Sequence, residues 1–582
     1  MNRHLAEVAK PIHRIKAQPG SLVLADDPRT KGYTEQIENP ERIREIVGAL
    51  VRHHSRGVLR HGELTVPVTP VAYASDLDAI RWRIEGVLGK LPAVIELCGF
   101  NSVFHLGIDR GFVDGEHLVS AMPSAILCVR RRWLRRYVVS SALTASFTLG
   151  APPSILVGAV RDISYLGLAI ETDVPVPSLS PATVIHGLRV RDESGKAAIL
   201  DTEVRWVMPR LPGRGSVYGL KVLGVDGDER GWITLVDDQV HPGTRVGSAL
   251  SEHVWDLYGR CGYFGLSGKR PVDFERRRRA FLSVSRQLDH APHVGLHVTW
   301  PHREPEGATA ALSALKVYQG TWLGFQMAKM SGDSEGVSGR KILREIHLRT
   351  YEHIQRDPDL AWVIAYPQAK RVWSALVHHD LPQRYVSSDE AAVVRFRALE
   401  FESTRRLELP GSDAVVDVGS PTDVEVLAKA VARLRPRAYC EALDLVPERM
   451  DMARNKRIWR GSRLERDRQI LVARKDGRAV AGAVLEMAAE GTHLFGLLDL
   501  VRLFPMSDGG EEHFAHLIDA AREWFLEMGK SRFVCFLENG SSLPDAACAM
   551  ANDMGEADMT ILAAHRLPEM LEYLYEVTAP RT

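Results

Sequence analysis

Short strand-forming runs separated by turn residues dominate the first 240 residues, and they constrain the fold more than any other feature of the sequence. Runs such as AIRWRIEGVL, SVFHLGID and AAILDTEVRWVMP follow one another at short intervals. Such spacing is typical of small antiparallel β domains. After HPGTRVG the texture changes, because helical and strand-like runs alternate between residues 250 and 578. The sequence therefore predicts β-rich domains followed by an α/β region.

The composition excludes several classes of protein. Lys plus Arg and Asp plus Glu each number 74, so net charge gives no reason for the chain to coat nucleic acid. The six cysteines form no CxxC pair, which predicts neither a disulfide framework nor a zinc site, and no metal site is expected. Because no run reaches about 18 apolar residues, we expect a soluble cytoplasmic protein without a membrane span.

The order of the runs gives a domain plan. We predict a partly extended leader (1–36), a β domain (37–127), a β-barrel (128–240), a linker (241–250) and two α/β modules (251–405 and 406–582). The barrel is predicted from six or so short antiparallel strands, which include the hairpin HGLRVRDESGKAAILDTEVRWV with its polar DESGK connection. The segment DGDERGWITLVDDQV is expected to form its closing helix.

The stretch CVRRRWLRRYVV, residues 128–139, contains five arginines within seven positions. Arginine offers a planar fork of donors that fits phosphate oxygens or the O6/N7 edge of guanine. Downstream, RDISYLGLAIET places Asp162, Ser164 and Gly167 in the pattern D-x-S-x-x-G. Asp can accept from the N1–H and amine of guanine, Ser can bond a phosphate or base edge, and Gly permits a close turn. Together the two stretches predict a site for a phosphorylated guanine ligand.

R-x-x-x-R before a barrel strand, followed by D-x-S-x-x-G, resembles the signature of the PilZ domain over about 115 residues. That resemblance implies a small β-barrel that binds cyclic di-GMP, a second messenger with two guanines and two phosphates. Two registers are open, Arg131 with Arg135 or Arg132 with Arg136. Aligning the family's aromatic residue with Trp133 favours the first pair, and the second pair is then expected to touch phosphate. The alternative interpretation is a solvated basic face.

The preceding domain resembles the N-terminal split barrel of flagellar-brake PilZ proteins. A leading helix, several strands and an AMPSAI strand that feeds into the arginines carry this likeness. It implies that the arginines lie on the junction between two barrels, where a bridging ligand is expected to reorient them.

The C-terminal half resembles the GNAT acyltransferase fold in tandem, because the order strand, strand, Gly-rich turn, helix, strand occurs twice. In that family a Gly-rich turn at a helix N-terminus holds the pyrophosphate of coenzyme A. The first turn, SGDSEGVSGR, offers Gly336 and Gly339 for acyl-CoA. The second, SDGGEE, has Gly509 and Gly510 beside acidic residues that repel phosphate, so this module is expected to be degenerate. Ordinary loop glycines are the alternative in both places.

Two functions remain open at the level of sequence. One is a cyclic di-GMP receptor that switches an N-acyltransferase module, which acts on an acyl acceptor. The other is a receptor whose C-terminal region is a non-enzymatic adaptor that controls motility or biofilm through a protein partner. The poor Gly-rich turns favour the adaptor, and the length of the tandem region favours the enzyme. No catalytic residue is assigned.

Overall fold

The structure is a computed structural model, and it describes the following residues: 34–52, 55, 57–61, 64–74, 78–85, 92–98, 102–130, 134–139, 142–149, 154–209, 215–227, 229–265, 274–302, 307–367, 372–384, 386, 389–407, 409, 413–538 and 540–578. These residues form two compact units. Unit 1 contains the described part of 1–242 and the last helix from Pro568, and unit 2 is Gly243–Leu567. Most of the predicted leader lies outside the described residues. No helix among the described residues is long and apolar enough to cross a bilayer.

Unit 1 begins with a nine-stranded antiparallel sheet and one helix. Its elements are β1 (Thr34–Ile37), α1 (Pro40–Arg52), β2 (Gly57–His61), β3 (Leu64–Ala74), β4 (Ala79–Ile84), β5 (Ala93–Cys98), β6 (Ser102–Ile108), β7 (Gly111–Asp114), β8 (His117–Ala121) and β9 (Ile126–Arg130). The strand order is β1-β9-β6-β5-β2-β3-β4-β8-β7. The described strands thus form one continuous sheet, and the split-barrel form stays a prediction.

Helix α1 forms where the sequence supplies both a cap and an apolar stripe. The Asn39 side-chain oxygen accepts from the backbone N–H groups of Glu41 and Arg42 at 3.0 and 3.1 Å, which satisfies donors of the first turn. Pro40 occupies the first helical position, where its missing N–H costs nothing. The buried stripe that includes Ile46 then packs into the core of the sheet.

The second part of unit 1 is a closed six-stranded barrel, as the sequence predicted. Its elements are β10 (Tyr137–Val138), β11 (Leu143–Leu149), β12 (Ser154–Ser164), β13 (Gly167–Thr172), β14 (Val184–Asp192), β15 (Ala197–Pro209), β16 (Ser216–Asp226) and the closing helix α2 (Glu229–Val240). The strands run β12-β11-β14-β15-β16-β13, β13 pairs again with β12, and β10 adds to β12. Leu168, Leu188, Leu200 and Leu220 are fully buried in the barrel. The predicted hairpin is β14–β15.

Unit 2 contains one twelve-stranded mixed sheet. Its strands are β17 (Arg245–Val246), β18 (Gly295–His302), β19 (Gly307–Tyr318), β20 (Thr321–Lys329), β21 (Trp362–Ala365), β22 (Ala391–Glu402), β23 (Val415–Val418), β24 (Arg466–Lys475), β25 (Arg478–Ala488), β26 (Leu500–Pro505), β27 (Arg532–Glu538) and β28 (Asn552–Ala563). The edge strand β17 lies inside the stretch that the sequence predicted to be a linker.

The helices of unit 2 alternate with its strands, as expected from the runs after residue 250. They are α3 (Ser251–Arg260), α4 (Phe274–Leu288), α5 (Gly339–Ile354), α6 (Val372–His378), α7 (Asp380–Gln383), α8 (Pro421–Leu434), α9 (Arg437–Ala442), α10 (Ala453–Gly461), α11 (Phe514–Glu527) and α12 (Asp545–Cys548). The last helix of the chain, α13 (Leu567–Val577), belongs to unit 1 from Pro568 onward.

The sheet of unit 2 consists of two halves with the same strand pattern. Its order is β17-β18-β19-β20-β21-β28-β22-β27-β26-β25-β24-β23. Read from either edge, three antiparallel pairings are followed by one parallel pairing, β20–β21 in the first half and β26–β27 in the second. The sixth strands are exchanged, because β22 follows β21 in the chain but pairs with β27, whereas β28 follows β27 but pairs with β21. The predicted repeat is thus present as two interlocked halves, and its assignment to acyltransferases stays a prediction.

Candidate functional site

The arginine stretch connects the two β domains of unit 1. Strand β9 of the nine-stranded sheet ends at Arg130, and β10 of the barrel begins at Tyr137. Strand β10 pairs with β12, so that Tyr137 lies opposite Ile163 and Val138 lies opposite Asp162. This register brings the residues just before β10 close to the D-x-S-x-x-G stretch. Of the predicted arginines, Arg131 and Arg132 lie outside the described residues, as does Trp133.

Arg136 and Asp162 form an ion pair. The Arg136 Nη1 atom donates to Asp162 Oδ1 at 3.0 Å, and its Nη2 atom donates to the backbone carbonyl of Leu220 at 3.1 Å. The two side chains are 14% and 27% exposed, so the pair is partly shielded from water. The structure therefore joins one arginine of the second register directly to the predicted base-reading carboxylate.

The turn between β12 and β13 explains the serine and the glycine of the pattern. Ser164 is buried, and its hydroxyl donates to the carbonyl of Gly167 at 3.1 Å, which closes the two-residue turn. A Cβ on Gly167 would overlap the carbonyl oxygen of Leu220 and lie 2.9 Å from Arg136 Nη2. Glycine is required here because the backbone of β16, at Leu220, and the Arg136 guanidinium leave no space for a Cβ. Strands β12 and β13 thus form a hairpin around this turn.

Arg135 lies against two tyrosine rings. Its guanidinium carbon is 5.1 Å from the ring centroid of Tyr137 and 5.3 Å from that of Tyr575. Cations at this distance from an aromatic ring are attracted by its quadrupole. Tyr575 belongs to α13, at the other end of the chain, and sequence reasoning did not include it. Its local sequence, LEYLYEV, signals only an amphipathic helix, so nothing in it identifies the partner.

A second pair of contacts holds α13 against α1. Arg42 of α1 donates to Glu576 at 2.7 Å and lies 5.7 Å from the ring centroid of Tyr573. Glu576 is only 9% exposed. Burial raises the pKa of Glu576 to about 7, and the charge of Glu572 adds to this effect while that of Arg42 opposes it. The carboxyl group of Glu576 thus titrates near neutral pH.

Unit 2 has a cavity of about 500 Å³ beside the parallel pair β20 and β21. Residues of β20, β22 and β28 line it, and many of them are apolar or aromatic. Gln326 on β20 lines the cavity with a positive φ of 56° and is 6% exposed. Within the described part of the chain, neither its side-chain oxygen nor its nitrogen has a hydrogen-bond partner. A buried, unsatisfied amide in a cavity is expected to bind a polar group of a ligand.

Two buried histidines contact the same region. His378 lines the cavity, and its ring nitrogens lie 3.4 Å from His347 Nε2 and 3.3 Å from the Tyr351 hydroxyl. Burial lowers the pKa of His378 to about 3 and that of His347 to about 4, so both rings are neutral at physiological pH. His378 follows an ordinary helical pattern, and only the fold brings it to the cavity.

The carboxylate of Asp333 occupies the turn that the sequence predicted to bind coenzyme A. Gly336 has a φ of 76°, and Gly339 is the first residue of α5. The N–H of Gly339 donates to Asp333 Oδ1 at 2.8 Å, and the Ser338 side chain caps the helix. A pyrophosphate at this helix N-terminus would have to replace or repel the carboxylate of Asp333.

The second half differs at the equivalent strand pair, where buried arginine and glutamate side chains form ion pairs. Glu486 on β25 accepts from Arg466 and Arg468 at 2.5 Å each. Arg502 on β26 lies 3.6 Å from Glu486 and 3.7 Å from Glu538 at the end of β27. Burial alone would raise the pKa of Glu486, but the three arginines hold it at about 2. The predicted second turn also keeps its acidic residues, because two glutamates follow directly within the short 3-10 helix Gly510–His513.

Comparisons with known proteins find likeness among solved structures. YcgR from Escherichia coli in complex with c-di-GMP is 14% identical, with 34% of this chain and 90% of that chain covered and a TM-score of 0.29. The K. pneumonia MrkH–c-di-GMP complex is also 14% identical, with 35% and 96% covered and a TM-score of 0.31. A conserved Enterococcus faecalis V583 protein, described as a probable N-acyltransferase, is 11% identical, with 55% and 72% covered and a TM-score of 0.24. No protein-family model and no curated protein sequence matches the chain. At this level of similarity, function has to be inferred from the side chains.

Proposed function

We propose that this chain is a cytoplasmic bacterial receptor for cyclic di-GMP, which binds at the junction between β9 and β10. The observation that supports this proposal is the Arg136–Asp162 pair next to Arg135. The guanidinium groups offer charged donors to the two phosphates, and the carboxylate offers an acceptor to the guanine edge. Phosphate attraction and base reading are then combined where β10 pairs with β12.

Isothermal titration calorimetry on the full chain tests the receptor function. We expect Arg135→Ala and Asp162→Ala each to weaken cyclic di-GMP binding about 10- to 100-fold, because each removes one charge-assisted contact. Arg131→Ala is expected to act in the same way if the first register is used. Arg189→Ala on β14, which removes an exposed arginine of the same barrel, is the matched control and should leave affinity unchanged. Unchanged affinity in all three site variants would exclude this stretch as the site.

Selectivity for guanine tests the role of the carboxylate. Asp162 is expected to read the N1–H and amine of guanine, which adenine does not present in the same arrangement. The wild-type chain should therefore prefer cyclic di-GMP to cyclic di-AMP, and Asp162→Ala should reduce that preference. Equal affinity of the wild-type chain for both dinucleotides would contradict base reading.

For unit 2 we propose that ligand binding at the barrel controls an acyltransferase-like module. The cavity and the unsatisfied amide of Gln326 favour a small-molecule ligand such as acyl-CoA. The carboxylate of Asp333 at the predicted turn favours the alternative, an adaptor that acts on motility or biofilm through a partner protein. Both hypotheses share the receptor and differ only in what unit 2 binds.

A thermal shift assay with acetyl-CoA and a longer acyl-CoA separates the two. At 100 times its Kd a ligand adds about 2.7 kcal/mol to the stability of the unit that binds it, which is easily measured. We expect Gln326→Leu, which keeps the size of the side chain and removes its amide, to reduce the shift. If neither acyl-CoA changes the melting temperature of the wild-type chain, the adaptor hypothesis is favoured.

A further inference from the structure

The C-terminal helix contacts residues of the predicted dinucleotide site, although it follows unit 2 in the chain. Tyr575 of α13 lies over the guanidinium of Arg135, and Glu576 pairs with Arg42 at 2.7 Å. Several residues on more than one face of α13 are buried, including Met570, Leu571 and Leu574. The helix therefore contacts the rest of unit 1 through Arg135 and Arg42, and its own apolar side chains are buried.

The Arg135–Tyr575 contact uses the chemistry that a guanine base would use. A guanidinium group stacks on flat aromatic faces, whether they belong to tyrosine or to a base. Arg135 already lies 5.1 Å from the ring of Tyr137, so the adjacent strand β10 supplies one aromatic neighbour and α13 supplies another. A dinucleotide that stacks a base on Arg135 needs space near the guanidinium that the Tyr575 ring fills.

We propose that α13 is a displaceable strap, and that cyclic di-GMP competes with Tyr575 for Arg135. This inference rests on the proposed receptor function. Ligand binding releases the strap, and the strap in turn lowers the affinity of the site. After β28, the chain reaches α13 through the short 3-10 helix Ala564–Arg566. Residues Met554–Ala557 of β28 line the cavity of unit 2, so the strap is covalently joined to a wall of that cavity.

Calorimetry of cyclic di-GMP binding to full-length variants tests the competition. Tyr575→Ala removes the competing ring and is expected to raise affinity about 2- to 30-fold, the range expected for one cation–π contact. Tyr575→Phe keeps the ring and should bind like the wild-type chain. A loss of affinity in Tyr575→Ala would overturn the proposal, because it would mean that the ring completes the site. Equal affinity in the wild-type chain and Tyr575→Ala would also overturn it.

Hydrogen exchange of residues 568–578 provides a test that does not require the ligand. If Arg135 holds the strap, Arg135→Ala should speed exchange in this helix at least several-fold, whereas Arg189→Ala should leave it unchanged. Saturating cyclic di-GMP should produce the same acceleration in the wild-type chain. Unchanged exchange in Arg135→Ala refutes the strap, whatever the ligand does. No binding of cyclic di-GMP to the wild-type chain or to Tyr575→Ala refutes the receptor function itself.

Discussion

The Arg136–Asp162 pair can be tested as a unit by a double-mutant cycle. The perturbations are Arg136→Ala, Asp162→Ala and the double variant, each in the full chain. Arg136 reaches Asp162 at 3.0 Å and the Leu220 carbonyl at 3.1 Å, so it fixes the position of the carboxylate relative to the barrel. Removing either partner should therefore disturb the same contact with the ligand.

The expected magnitude follows from the exposure of the pair. A hydrogen bond to a charged group contributes about 1.5–3 kcal/mol, and the 27% exposure of Asp162 favours the lower limit. Each single variant should then lose about tenfold in cyclic di-GMP affinity. If the residues act as one unit, the double variant also loses about tenfold, which corresponds to a coupling energy of about 1.5 kcal/mol.

Calorimetry at one fixed salt concentration measures the four affinities. Independent contacts would instead multiply, and the double variant would lose about 100-fold. That result would refute the reasoning that Arg136 acts through the position of Asp162. Circular dichroism and thermal melting of each variant show whether the barrel is intact, since a folded barrel is required for the comparison.

Three further outcomes are expected. Gly167→Ala should lower the melting temperature of unit 1 and weaken dinucleotide binding about 5- to 150-fold, since overpacking of this kind costs about 1–3 kcal/mol. Gly224→Ala, where a Cβ meets open space, is the control, and equal melting of the two variants would contradict the close packing at Gly167. Asp333→Asn keeps an acceptor but removes its charge, and should raise acetyl-CoA affinity about 2- to 5-fold in a thermal shift titration, whereas unchanged affinity would exclude this turn from coenzyme A binding. The pKa of Glu576 rises from 4.5 to about 7 on burial, so docking of α13 is tightest below pH 4.5 and weakens as pH rises through about 7. Hydrogen exchange between pH 5 and 8, corrected for intrinsic rates, should show this loss in the wild-type chain but not in Glu576→Gln, in which Arg42 faces an uncharged amide.

Local patterns were sufficient to predict the barrel. Its strands alternate apolar and polar residues, and its hairpin connection and closing helix carry clear turn and helix signals. The pattern D-x-S-x-x-G correctly identified a turn, because Ser164 and Gly167 form it through a hydrogen bond between residues three apart. Such short-range contacts depend on few residues, which the sequence displays together.

Long-range contacts could not be predicted in the same way. Arg42 and Glu576 are 534 residues apart, and an amphipathic helix such as α13 fits many apolar surfaces equally well. The exchange of β22 and β28 is equally hidden, because buried strands of similar composition can pair in several orders. The pattern also could not decide between the two arginine registers. The contact between Arg136 and the Leu220 carbonyl depends on a strand outside both motifs.

The exchanged strands make the two halves of unit 2 indivisible. A fragment that ends near residue 405 would contain β22 without its neighbours β27 and β28, and its strand β21 would be left with an open edge. The complementary fragment would contain β28 without its neighbours β21 and β22, and its strand β27 would be left with an open edge. Neither piece is therefore expected to be soluble when expressed alone, whereas both expressed together could reassemble by fragment complementation. A damaging substitution in one half cannot be removed by deleting that half, because the remaining half depends on a strand from the deleted one.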